Sequence, residues 1–189
     1  MARLRILFAG VFLAALALPA FAADDILDAI DQARKAYQAG NLASAKQSLD
    51  MASQLVGQKN AESFSSLLPS PLPGWTAEKV ETTAVGVAMF GASSASRRYR
   101  APDGHDVHVR ITGDSALIMQ FAQLFLNPAI AGAMGKLIRI GDQRAIQTAD
   151  GTINMVVANK FLVTVEGSAG ADAKLAYAQG VDYVKLSKM

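Results

Sequence analysis

Cysteine is missing from all 189 residues, and that absence removes a lipid-modified N-terminal cysteine, a disulfide framework and every thiol mechanism together. The chain must stand on its hydrophobic core. Histidine is almost missing too, with His105 and His108 the only two, so an imidazole general base has one short stretch to come from. The glycine-rich fingerprints also fail. Ile130 stands where a phosphate loop ending in Gly135-Lys136 needs its first glycine, and Leu137 stands where it needs a hydroxyl. No dinucleotide fingerprint is present. The serines in Gly91-Ala92-Ser93-Ser94-Ala95 and Gly167-Ser168-Ala169-Gly170 lack the glycine two residues to each side that a nucleophile elbow requires. No cofactor is expected, and a non-enzymatic role is the leading expectation.

Charge of one sign is scarce once the N-terminus is set apart. Arg3 and Arg5 precede an uncharged apolar run at residues 6–18, followed by Pro19 and the small-x-small sequence Ala20-Phe21-Ala22. This is the pattern of a cleavable signal peptide, assigned to residues 1–22, with export to the periplasm as its consequence. The run is shorter than the roughly 20 apolar residues a spanning helix needs, so no membrane span is expected after cleavage. The chain has 18 Lys+Arg against 16 Asp+Glu. Without Arg3 and Arg5 the charges balance, and a neutral chain offers no broad field to nucleic acid or anionic lipid.

What is present divides residues 23–189 into three. Residues 23–60 carry apolar residues at helical spacing: Ile26, Ile30, Ala33 and Tyr37, then Leu42, Ala45, Leu49, Ala52 and Val56 after Gly40-Asn41. The spacing predicts a hairpin of two helices joined at Gly40. Residues 61–74 hold three of the six prolines and read as a connector. Residues 75–189 read as an α+β domain with an antiparallel sheet. Strands at 94–101 and 105–112 flank Pro102-Asp103-Gly104. Strands at 136–140, 143–149, 152–158 and 161–167 are joined by Gly141-Asp142, Asp150-Gly151 and Asn159-Lys160. Ile153, Met155 and Val157 share one face with Phe161, Val163 and Val165 of the next strand, so one side of this meander is buried. Helices are expected on that face: one capped by Asp114 with Leu117, Ile118, Phe121, Leu124 and Phe125, a short one after Asn127-Pro128 through Met134, and a C-terminal one with Tyr177, Val181 and Val184.

In the hairpin, Ala33, Gly40, Leu42, Ala45, Leu49 and Ala52 resemble the spacing of a single tetratricopeptide unit, although its usual tryptophan and terminal proline are absent. In the larger domain, Pro73-Gly74-Trp75, Ser96-Arg97-Arg98-Tyr99-Arg100, Asn127-Pro128 and Val156-Val157-Ala158-Asn159-Lys160-Phe161-Leu162-Val163 resemble blocks of an uncharacterised group of exported proteobacterial proteins. The order of strands and helices over residues 67–186 is similar to the PsbP/Mog1 type of α+β fold. That resemblance implies an assembly or interaction factor and no particular chemistry.

The residues that invite a site are few. His105-Asp106-Val107-His108 suggests metal binding, but along a strand Asp106, His108 and Arg110 face one way while His105, at the turn, points with the other set. Arg98 and Arg100 share a face of the preceding strand, and the hairpin brings them beside Asp106, His108 and Arg110. Arg98, Arg100, His108 and Arg110 are therefore the candidate surface for an anionic ligand or an acidic partner. Met89, Met119, Met134 and Met155 are dispersed singly, as core fillers are. Trp75, after the Pro-Gly turn, is expected to pin the first strand.

The leading expectation is an interaction or accessory protein whose hairpin docks on a protein partner in the envelope. The alternative is a binder of a small apolar or anionic ligand, with a pocket between the sheet and the helices of residues 117–134 and Arg98, Arg100 or Arg110 at its mouth. A hydrolase using His105 or His108 is the third.

Overall fold

Asp24 starts the first helix, its carboxylate accepting from the amides of Ile26 and Leu27. Helix α1 spans Asp25–Gln38. Its end is a glycine cap. Gly40 sits at φ +76°, and the amides of Gly40 and Asn41 reach back to the carbonyls of Tyr37 and Ala36. Asn41 then caps helix α2, Leu42–Ser65, by accepting from the Ser44 amide at 3.0 Å. Two adjacent residues thus stop one helix and start the next, as the sequence predicts. Helix α2 runs on through Ser65, past residue 60 where the hairpin was expected to end.

The structure, a computed structural model, describes residues 24–84, 92–113, 118 and 128–189. The expected signal peptide lies outside the described residues, as do Asp114, Leu117, Phe121, Leu124, Phe125 and Asn127 of the expected covering helix, and Met89 and Met119.

Eight strands form one antiparallel sheet: β1 (Thr76–Ala77), β2 (Glu81–Ala84), β3 (Ser93–Arg100), β4 (Asp106–Gly113), β5 (Lys136–Ile140), β6 (Gln143–Gln147), β7 (Ile153–Val157) and β8 (Phe161–Glu166). The order is β1-β3-β4-β8-β7-β6-β5, and β2 lies beyond β1 along the same edge of β3. Strands β5 to β8 are the expected meander, with turn glycines Gly141 and Gly151 at positive φ. The β7–β8 turn differs by one residue. Ala158 and Asn159, not Asn159 and Lys160, take the left-handed conformation, at φ 51° and 55°, because within the three-residue loop between paired Val157 and Phe161 the Lys160 amide closes a turn on the Val157 carbonyl with those two at its centre.

Period-2 alternation sets the layers. One row across the sheet reads Ile138, Ala145, Met155, Val163, Ile111 and Ala95, and the Met155, Val163, Ile111 and Ala95 side chains are fully buried. This face packs against the end of α2, through Phe64, and against helices α4 (Ala171–Gln179) and α5 (Tyr183–Leu186), through Tyr177, Ala178 and Leu186. The rings of Phe64 and Phe161 meet edge to face at 5.7 Å. Val181 is buried as expected, whereas Val184 is 66% exposed because α5 turns Leu186 inward instead. Helix α3, Pro128–Met134, begins at the expected proline and contacts β5. Ile146, on the opposite side of the sheet from Ala145, is also fully buried, as are Ala131 of α3 and Ile118.

The proline-rich connector is clamped to this core. Leu72-Pro73-Gly74-Trp75 closes a turn through the Trp75 amide and Leu72 carbonyl, with Gly74 at φ +80°. The Tyr99 hydroxyl donates to the Pro69 carbonyl at 2.6 Å, and the Tyr177 hydroxyl accepts from the Leu72 amide at 3.1 Å. Trp75 packs edge-on to Tyr177 at 5.3 Å, which meets the expectation that it anchors the start of the sheet.

Candidate functional site

Strand β3 sets Arg98 opposite His108 and Arg100 opposite Asp106, and Ser96 lies opposite Arg110. The four expected residues therefore do share the outer face of one hairpin. The register also brings Glu166 of β8 opposite His108, a neighbour that the sequence reading missed. Its alternation with Thr164 marks it as outward-facing. Nothing local reveals that β8 pairs with β4, a strand distant in sequence.

Most of the positive charge here is already answered. Arg98 pairs with Asp106 through Nη1 and Oδ2. Arg100 Nη2 lies 2.8 Å from Glu78 Oε1. Asp106 is also tied to the loop after β8. The Ser168 hydroxyl donates to Asp106 Oδ1 at 2.6 Å and accepts from the Asp106 amide at 2.9 Å, while the Ala169 amide donates to the Asp106 carbonyl. The Ser168 hydroxyl, joined by the Ser168 amide and Arg98, holds the Asp106 carboxyl below the usual carboxylate range, against the opposing effect of burial. Asp106 is a staple between β4 and the β8–α4 loop.

His108 is half-buried, with Nδ1 3.5 Å from Glu166 Oε1. Burial pushes its pKa down, and Arg110 and Arg98 push the same way, outweighing Glu166. It is a neutral imidazole beside two guanidinium groups. His105 is exposed in the turn and does not join this face, as the alternation predicts. Among the described residues no three His, Asp or Glu side chains cluster as metal ligands do. Arg110 is exposed and makes no hydrogen bond or ion pair among the described residues. Among the described residues, what this face offers chemically is thus the Arg110 guanidinium next to a neutral histidine, suited to a single anionic group.

The helical hairpin offers a second kind of surface. Ala29 and Ala33 of α1 and Ala45 and Ala52 of α2 are the buried residues between the helices. The bulky apolar residues at helical spacing point elsewhere: Ile30, Tyr37, Leu42, Leu49 and Val56 are 43–68% exposed. Alanine lets two helix backbones approach closely, and at that separation larger side chains are forced to the flanks. Met51, Gln47, Ser48 and Gln54 line a groove with Ala29 and Gln32. No helix among the described residues is long and apolar enough to cross a membrane.

Helices packed on an eight-stranded antiparallel sheet, with a helical pair ahead of them, define an α+β protein. Compared with known proteins, the chain matches no family model, no curated protein and no solved structure.

Proposed function

We propose that this is an exported, periplasmic interaction or accessory protein without enzymatic activity, in which a PsbP/Mog1-like α+β domain carries a hairpin that docks on protein in the envelope. The observation supporting this reading is the hairpin surface. Ile30, Tyr37, Leu42, Leu49 and Val56 stand in water on an arm whose helices pack through Ala29, Ala33, Ala45 and Ala52, and exposed apolar groups so concentrated mark contact surfaces. The test is site-specific photocrosslinking from position 49 in intact cells. The expected result is a discrete protein adduct, absent when the probe sits at position 103 in the β3–β4 turn. No adduct would refute the reading, and a defined small molecule retained in native mass spectrometry would then favour ligand binding.

A second reading, binding of a small anionic ligand, rests on Arg110, without an ion-pair partner among the described residues, beside His108 and Arg98. A thermal shift with a carboxylate or phosphate ligand that disappears in Arg110→Gln would favour it over docking.

A further inference from the structure

We infer that the occupant of the exposed hairpin face is a second copy of this chain, two hairpins packing face to face about a two-fold axis into a four-helix bundle. The inference rests on the reading of the hairpin as the docking element and names what it docks on.

Five of the seven exposed bulky apolar residues of the two helices lie on one side of the hairpin, Met51 lying on the other and Leu27 pointing away from α2. On α1 the buried Ala29 and Ala33 mark the direction of α2, and on α2 Ala45 and Ala52 mark the direction of α1. Ile30 and Tyr37, and likewise Leu42, Leu49 and Val56, stand roughly 30–80° further round in the same rotational sense. Because α2 runs back along α1, equal rotation brings both sets to the same side. The opposite side is a mainly polar groove of Gln32, Ser44, Gln47, Ser48 and Gln54, with Met51 its one bulky apolar side chain.

The spacing suits helical partners. Leu42, Leu49 and Val56 recur at seven-residue intervals, as do Ile30 and Tyr37. A seven-residue interval keeps a seam in line with a facing helix.

The rim suits an identical partner. Arg34 pairs with Asp31 at 3.0 Å and Lys46 with Asp50 at 2.6 Å, each within its own helix. Such a border has no excess of either sign to select an oppositely charged protein, and two identical copies meet without like-charge repulsion.

The area is sufficient. Ile30, Tyr37, Leu42, Leu49 and Val56, at 43–68% exposure, present roughly 500–550 Å² per copy, so a symmetric contact buries roughly 1,000–1,100 Å² in total from these side chains alone, at the lower bound for a specific interface.

The test is the mass of the protein in solution, by light scattering over a dilution series, on material recovered after expression of the full chain. The expected result is twice the mass of one chain. The double substitution Leu42→Lys with Leu49→Lys should give the single-chain mass while leaving the circular dichroism unchanged, since neither side chain packs within its own hairpin, and the thermal midpoint should lose its dependence on protein concentration. Met51→Lys, on the other side of the hairpin, should leave the dimer intact. A single-chain mass for the unsubstituted protein at every concentration, or a dimer that survives the double substitution, would overturn the inference. If position-49 crosslinking in cells captures a different protein while the purified chain is monomeric, docking stands and self-association falls. If it captures nothing and the chain is monomeric, both fall.

Discussion

The sheet layer and the hairpin solve the same problem with opposite materials. The sheet layer buries large side chains, among them Tyr99, Tyr177, Phe64, Ile111 and Met155, each under 2% exposed, and closes them with edge-to-face rings and tyrosine hydroxyls bonded to backbone. The hairpin buries alanines and leaves its leucines and Tyr37 outside. Since burial of a large side chain stabilises by about 1.5–3 kcal/mol, most of the stability of the described structure resides in the sheet layer. The arm adds surface more than it adds stability.

Substitutions can break that contrast. The largest effect is expected for Gly113→Ala at the end of β4. A Cβ there would stand 2.7 Å from ring atoms of both Phe161 and Phe64, and neither ring has a free end to yield. A loss of about 2–3 kcal/mol is expected in urea unfolding, with unchanged slope.

Alkaline pH tests the same layer. Burial pushes the Tyr99 phenol up to about 12. A raised folded pKa means that the fold holds the proton more tightly than the unfolded chain does. The stability tied to it is fully present below about pH 10 and is lost as pH rises through about 12, on the order of 2 kcal/mol in all. Urea midpoints between pH 8 and 11.5 should fall accordingly, and Tyr99→Phe should flatten the dependence while lowering stability at neutral pH through the unpaired Pro69 carbonyl.

Ala52→Leu examines the arm. Crowding the alanine seam should cost about 1–2 kcal/mol locally, seen as faster amide exchange in α1 with the exchange of β4 and β8 unchanged. Ala158→Gly should work in the other direction, stabilising by about 0.5–1 kcal/mol, because an L-residue at φ 51° is strained and glycine is not. The smallest effect belongs to Leu49→Ser, expected within about 0.5 kcal/mol in thermal unfolding at a dilution where the chain is a single copy. A larger loss there would show that the leucine seam is structural.

The strands were legible because two independent signals coincided. Alternation in β4, β7 and β8 named the inner residues, and Gly104, Gly141 and Gly151 placed the turns that fix register. The pairing of β4 with β8 was not legible, and with it Glu166 and Ser168 escaped notice, because no turn connects those strands and register between them is set only by the packed core. In the hairpin, helical spacing located both helices and the Gly40-Asn41 junction but not which residues lie between them. Periodicity weighs Leu49 and Ala45 alike as apolar, whereas close helix packing admits the one and expels the other. Helix α2 outran its expected end because no residue between 57 and 68 forbids helix: its one glycine, Gly57, is tolerated, and the first proline comes at 69. In the candidate site, Arg98, Arg100, His108 and Arg110 came together beside Asp106 as expected, but the pairing of Arg100 with Glu78 and the approach of Glu166 to His108 depend on neighbours that only the assembled sheet supplies.

The clamp on the proline-rich segment gives the arm a mechanical character. With Pro69 and Leu72 held by Tyr99 and Tyr177, the Leu67 carbonyl taking the Asp182 amide, and Phe64 sunk among the strands, α2 cannot swivel where it leaves the sheet. It is a cantilever with a built-in root. Whatever grips its free end is therefore held at a fixed bearing and distance from the sheet, so that two such proteins joined by their arms would form a rigid spacer and not a loose tether.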